Sequence, residues 1–169
     1  MKKYVFGFIL LISFYGNNYA QLKLGYVDSD AIISQLPDAK DAQKKIDGII
    51  QDWQEELSKM ESTLKNSTRE FENQKLIMSN QKRKETEKQL KAKEKEISDF
   101  RQKKFGVNGE LFQKQEELMK PIQNMIFNAI EEVAKEKDLD FVFDKSGDLM
   151  FLYAKDKYDI TSLVLEKLK

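Results

Sequence analysis

The chain has 169 residues, with 29 basic and 29 acidic side chains, no cysteine and no histidine. Those two absences remove disulfides, the usual general base and the commonest soft metal ligands. The balanced charge argues against general nucleic-acid binding, which needs a surplus of lysine and arginine.

Lys2 and Lys3 precede an apolar run at residues 5–14, and a polar stretch then ends at Ala20. That is the layout of a secretory signal peptide, residues 1–20, cleaved after Ala20. The run is too short to span a hydrocarbon core of roughly 30 Å. Removing it leaves 27 basic against 29 acidic residues, a net of −2. An exported chain without cysteine fits a cell-envelope compartment.

Residues 22–28 alternate, placing Leu22, Leu24 and Tyr26 on one face of an expected strand. Asp28, Ser29 and Asp30 supply capping oxygens for a short helix carrying Ala31, Ile32, Ile33 and Leu36. Pro37 is expected to stop it, with Asp38 capping the next helix.

Residues 38–137 carry a charge at 41 of 100 positions and read almost wholly as helix. As one rod they would span about 150 Å. Ile46, Ile50, Trp53, Leu57, Met60 and Leu64 step by fours and threes, and Phe71 and Met78 continue at sevens. Leu90, Ile97, Leu111, Leu118 and Met125 keep the same register, joined by Ile122, Ala129 and Val133, so helix pairs with helix. Ser67, Gln74, Lys93 and Lys104 fall near seam positions and thin the distal packing. If strands at both ends share a sheet, the helix must return as a hairpin. The turn is placed at residues 78–81, giving arms of about 41 and 57 residues. Residues 106–109 have stronger turn chemistry, but arms of 68 and 28 residues could not close on one body. They are read as a weak point or bend in the returning helix, with Gly106 and Gly109 as a candidate hinge. Residues 75–104 carry 11 basic and 5 acidic side chains, while the flanking segments are net acidic. The basic end, with Lys82, Arg83, Lys84, Lys88 and Lys91, is a candidate contact surface for anionic lipid or acidic client segments.

Residues 139–144 and 149–154 read as a β-hairpin around Ser146, Gly147 and Asp148. Asp159 or Thr161 starts a last helix with Ile160, Leu163, Val164 and Leu168. Asp140, Asp144, Asp148, Asp156 and Asp159 are read as turn and cap residues rather than calcium ligands. The strands and short helices are too small for a stable core, so the body requires oligomerisation. The fold class is α+β: a long antiparallel helical hairpin, a coiled-coil tentacle at 38–137, projecting from a small β-rich body made of 21–37 and 138–169.

This order of elements resembles the Skp/OmpH family. The resemblance rests on Leu24, Gly25, Tyr26, Val27 and Asp28 in the first strand, and on Pro121 and Ile122. It continues through Asn128, Ala129, Ile130, Val133 and Ala134 to Leu139, Asp140, Phe141, Val142, Phe143 and Asp144. Asp159, Ile160 and Thr161 before Leu163, Val164 and Leu165 match the closing signature. The resemblance implies a periplasmic holdase chaperone: a homotrimer whose nine pooled strands form a small barrel and whose three hairpins surround a cavity. Without ATP, it would hold unfolded outer-membrane proteins. The best-known members are strongly basic, whereas here basic character is confined to the tip, so no lipopolysaccharide-binding residues are carried over.

Long, thinly packed arms with methionines and aromatics offer many weak, adaptable contacts. Phe100, Phe105 and Phe112 fit the main seam less well and, with Met78, are the client-binding candidates. A second reading is a structural coiled-coil spacer or adaptor of the envelope without holdase activity. Nothing marks an enzyme or a cofactor site: there is no glycine-rich phosphate loop, and carboxylates sit on nearly every turn.

Overall fold

The computed structural model describes residues 22–147 and 152–169, so residues 1–21 and 148–151 lie outside it. Strand β1 (Leu24–Val27) leads into helix α1 (Ser29–Gln35), the long α2 (Pro37–Gln74), α3 (Asn80–Phe105) and α4 (Glu110–Glu136). Strand β2 (Phe141–Asp144), a 3-10 turn (Asp156–Tyr158) and α5 (Thr161–Lys167) complete the chain. The two strands pair in parallel, Leu24 opposite Phe141 and Val27 opposite Asp144. Parallel neighbours require a crossover, and here the crossover is the entire helical excursion. The strands at both ends do share a sheet, which forces the helices out and back.

Three local expectations change. Pro37 does more than end α1: it opens α2 at the position where its missing N–H costs nothing, with Leu36 extended before it and Asp38 inside the first turn. The Leu22, Leu24 and Tyr26 face is only partly covered, because Leu22 and Leu24 are exposed and only Tyr26 is buried. Gly25 packs the opposite side, where a Cβ would lie 2.7 Å from Leu139. The expected C-terminal hairpin is not formed by residues 152–154, which make no strand, and β2 pairs with β1 instead. The rest of that expected strand lies outside the described residues.

The cap of α1 agrees with the sequence, whereas α5 follows Ile160 with no side-chain cap bond. Asp28 accepts from the Ala31 N–H at 2.9 Å, and Asp159 accepts from the Thr161 N–H at 2.9 Å. The hairpin turn occupies residues 75–79, with the Ser79 hydroxyl accepting from the Lys82 N–H to start α3. Along α2 the predicted stripe is the inward face: Ile46 and Phe71 are buried, and Ile50, Trp53, Leu57, Met60 and Leu64 are half-buried. On the return, Ile97 is buried and Leu90 half-buried, but Met125 is exposed and Ile126 takes the inward place.

Residues 106–109 are more than a bend: they break the returning helix into α3 and α4. The unequal arms result from where α4 ends. Ala39 and Ala42, at the start of α2, share one core cluster with Ile122, Ile126, Ala129 and Val133 of α4 and with Val27, Ile32, Leu36, Ile160 and Val164. The last turns of α4 thus run past the start of α2 and floor the body. Each buried Ile, Leu or Val of this cluster contributes about 1.5–3 kcal/mol, whereas exposed ion pairs of the arm contribute about 0–1. The root therefore dominates the chain's stability, and the distal arm, with Phe71 and Ile97 as its buried apolar residues, is weakly held.

Candidate functional site

The arm's distal half is where the sequence places contact residues, and its interior is partly polar. Lys93 donates to the Ser67 hydroxyl at 2.8 Å across the seam. The two polar interruptions therefore satisfy each other. Arg101 pairs with Glu61 one step lower. Lower still, the Lys104 ammonium lies 4.5 Å from the Trp53 ring centre, and Phe105 meets Trp53 edge-on at 5.9 Å.

Of the client-binding candidates, Phe105 is packed on Trp53, and Phe100 is half-buried beneath Lys104 at 5.8 Å. Phe112 is exposed, and Met78 is half-buried at the turn. Sequence reasoning missed the two most open apolar side chains of the tip, Leu76 and Ile77, each 87 % exposed. Their signal was legible: both stand off the stripe, between Phe71 and the Ser79 cap. Behind them Lys82, Lys84, Lys88 and Lys91 are exposed, Lys82 facing Glu85 at 3.8 Å. Arg83 turns inward, its Nε buried without a hydrogen-bond partner among the described residues. The tip therefore combines an apolar apex with a cationic collar.

Gly106 and Gly109 sit in a built turn. The Gly106 N–H donates to the Gln102 carbonyl at 3.0 Å and the Gly109 N–H to the Gly106 carbonyl at 2.9 Å. A Cβ on Gly106 would overlap the Gln102 carbonyl, and one on Gly109 would lie 2.9 Å from two carbonyl oxygens. Close backbone approach selects glycine here, while Asn108 takes the left-handed conformation at φ 57°. Glu110 opens α4 and receives both Lys103 and Lys104. The hydrogen bond from Lys104 outweighs partial desolvation and holds the Glu110 carboxyl below its ordinary range.

At the body Asp138, Asp140 and Asp144 tie strands and turns together. Asp140 accepts from the Lys23 N–H at 2.7 Å, and Asp138 pairs with the Lys23 ammonium at 2.5 Å, which raises the lysine and lowers the acid. Asp144 accepts from the Ser29 N–H at 3.2 Å and its hydroxyl at 2.5 Å, and from the Ser146 N–H at 3.0 Å. Desolvation pushes the Asp144 carboxyl up, but these hydrogen bonds outweigh it and the net shift is downward. Among the described residues no group of three or more acidic side chains is placed to hold a metal ion. None of the described helices is long and apolar enough to cross a membrane.

Several apolar side chains of the body stay open. Phe127 is 66 % and Phe141 55 % exposed. A groove lined by Val27, Ile33, Ile126, Phe127, Ile130 and Val142 runs between α1, α4 and β2.

The crystal structure of an OmpH-like protein from Caulobacter crescentus CB15, proposed as an outer membrane chaperone, superposes with a TM-score of 0.71 at 16 % identity. The match covers 87 % of this chain and 83 % of that one, so the two share a fold. No curated protein is matched. The family model "Outer membrane protein (OmpH-like)" matches residues 23–168, from the first strand to the last helix. With that match running through strand, helical hairpin and returning strand, the chain belongs to the OmpH-like family.

Proposed function

We propose that this protein is an ATP-independent holdase chaperone of the periplasm, holding unfolded outer-membrane proteins in a cavity between helical arms. In this reading residues 1–20 are removed on export, 21–37 and 138–169 build an oligomeric body, and 38–137 form the arm. Membership of the OmpH-like family supports a chaperone role. The observation that carries the holding activity is the distribution of open apolar groups along one arm. Leu76 and Ile77 side by side at the tip, Val107 at the break and Phe112 below it are exposed at separate points of the arm. Scattered, shallow contacts suit a client that exposes many alternating apolar strands and has no fixed shape.

The body's incompleteness supports assembly with other copies of the chain. A two-stranded sheet is marginal alone, and Leu22, Leu24, Phe127 and Phe141 leave its apolar surface open. Pooling three copies would cover those faces and set three arms around one space. The exposed basic collar of Lys82, Lys84, Lys88 and Lys91, with Arg83 turned inward beside it, would meet anionic segments of clients or an anionic membrane surface. The role needs no catalysis and no cofactor.

Light scattering of a urea-denatured outer-membrane β-barrel protein, diluted with and without the mature chain, tests the reading. Scattering should fall to near the buffer baseline at one trimer per barrel protein. Undiminished scattering at that ratio would leave the envelope spacer as the better description.

A further inference from the structure

The break at residues 106–109 leaves the relative direction of α3 and α4 undetermined by helix continuity. Gly109 offers no side chain to cap α4, and Val107 is 97 % exposed, so the linker is not anchored by its own packing. What crosses the break is a set of side chains from three helices. Glu110, the first residue of α4, takes Lys103 at 3.3 Å and Lys104, both from the last turn of α3. Lys104 in turn lies against Trp53 of α2 and near Phe100, while Phe105 packs edge-on to the same indole. Lys104 has 17 % of its side chain exposed, against 46–79 % for the lysines of the helical i,i+3 and i,i+4 pairs on α4 and at Lys95 and Lys44. Shielding of that kind strengthens both the ion pair and the cation–ring contact relative to open pairs.

We propose that Lys104, Glu110 and Trp53 form a clasp that holds the break at one angle, and that opening it lets α3 and α4 swing relative to each other. The clasp is the arm's adjustable joint: closed, it keeps the distal half on α2; open, it changes the space beneath the tip. Its operation rests on the packing within one chain and does not depend on what the arm binds, so the holdase reading can fail without it and it can fail without the holdase reading.

The chain has no cysteine and one tryptophan, which makes the test clean. Gln89→Cys in α3 and Gln115→Cys in α4 place spin labels on exposed positions either side of the break. Labelled mature chains are diluted into unlabelled ones so that each distance is within a chain. The distance distribution should be narrow in the parent and at least twice as wide in Glu110→Gln and Lys104→Met, with Trp53 emission shifted to the red. Lys104→Arg should restore the parent width. An unchanged width in both clasp variants overturns the proposal. So does equal broadening in Lys114→Met, which breaks only the Lys114–Glu117 pair of α4. Should a clasp variant not fold, Glu110→Asp, whose shorter side chain withdraws the carboxylate from Lys104, is measured in its place. Broadening there supports the clasp, and an unchanged width overturns it.

Discussion

Two glycines of the arm carry opposite expectations. A Cβ on Gly48, in mid-helix α2, meets open space, whereas one on Gly106 overlaps a carbonyl oxygen. Gly48→Ala should stabilise the chain by about 1 kcal/mol through helix propensity. Gly106→Ala should destabilise it by about 1–3 kcal/mol through steric strain. Denaturant unfolding at fixed protein concentration reads both, and equal signs would contradict the placement of the break. Asp144 gives a pH dependence. Its carboxyl lies below the ordinary value of 3.8 in the folded chain, so its hydrogen bonds stabilise fully above that value and are lost as pH falls through the folded value. The stability difference between the parent and Asp144→Asn should therefore be constant at neutral pH and shrink below about pH 4. A difference that stays flat to pH 2 would mean that Asp144 does not hold β2 to α1.

At the scale of elements, burial predicts a gradient of local stability. α4 places Ile122, Ile126, Ala129 and Val133 in the core, while α3 buries Ile97. Amides of α3 and of distal α2 should exchange orders of magnitude faster than those of the second half of α4, because they open without disturbing the root. Uniform protection would contradict a weakly held tip. The helical elements were legible because a heptad stripe reports its own pairing: Ile46 to Phe71 face inward as their spacing requires. The aromatics were harder. The sequence reading sets Phe100 and Phe105 off the main seam, yet Phe105, the last residue of α3, packs edge-on to Trp53, and Phe100 is half-buried three residues after Ile97. The body was legible only in outline. Alternation identifies residues 24–27 and 141–144 as strands, but parallel against antiparallel pairing depends on the route between them, and that is decided by the closed hairpin.

For the whole molecule, the fold is a long lever on a small base. The root cluster joins α1, α2, α4 and α5, so the arm's direction is set by the same residues that stabilise the body. That coupling means that assembly of the body would orient the arms. Charge adds a second asymmetry, since the collar at the tip is cationic while the segments toward the root are net acidic. An acidic client would be steered to the tip first. The most direct measurement is sedimentation of the mature chain, alone and with one denatured outer-membrane β-barrel protein per three chains. Alone, the chain should sediment as a species of three copies, and with the barrel protein as a soluble complex of three chains and one client. A monomer that leaves the barrel protein in the pellet would contradict the holdase.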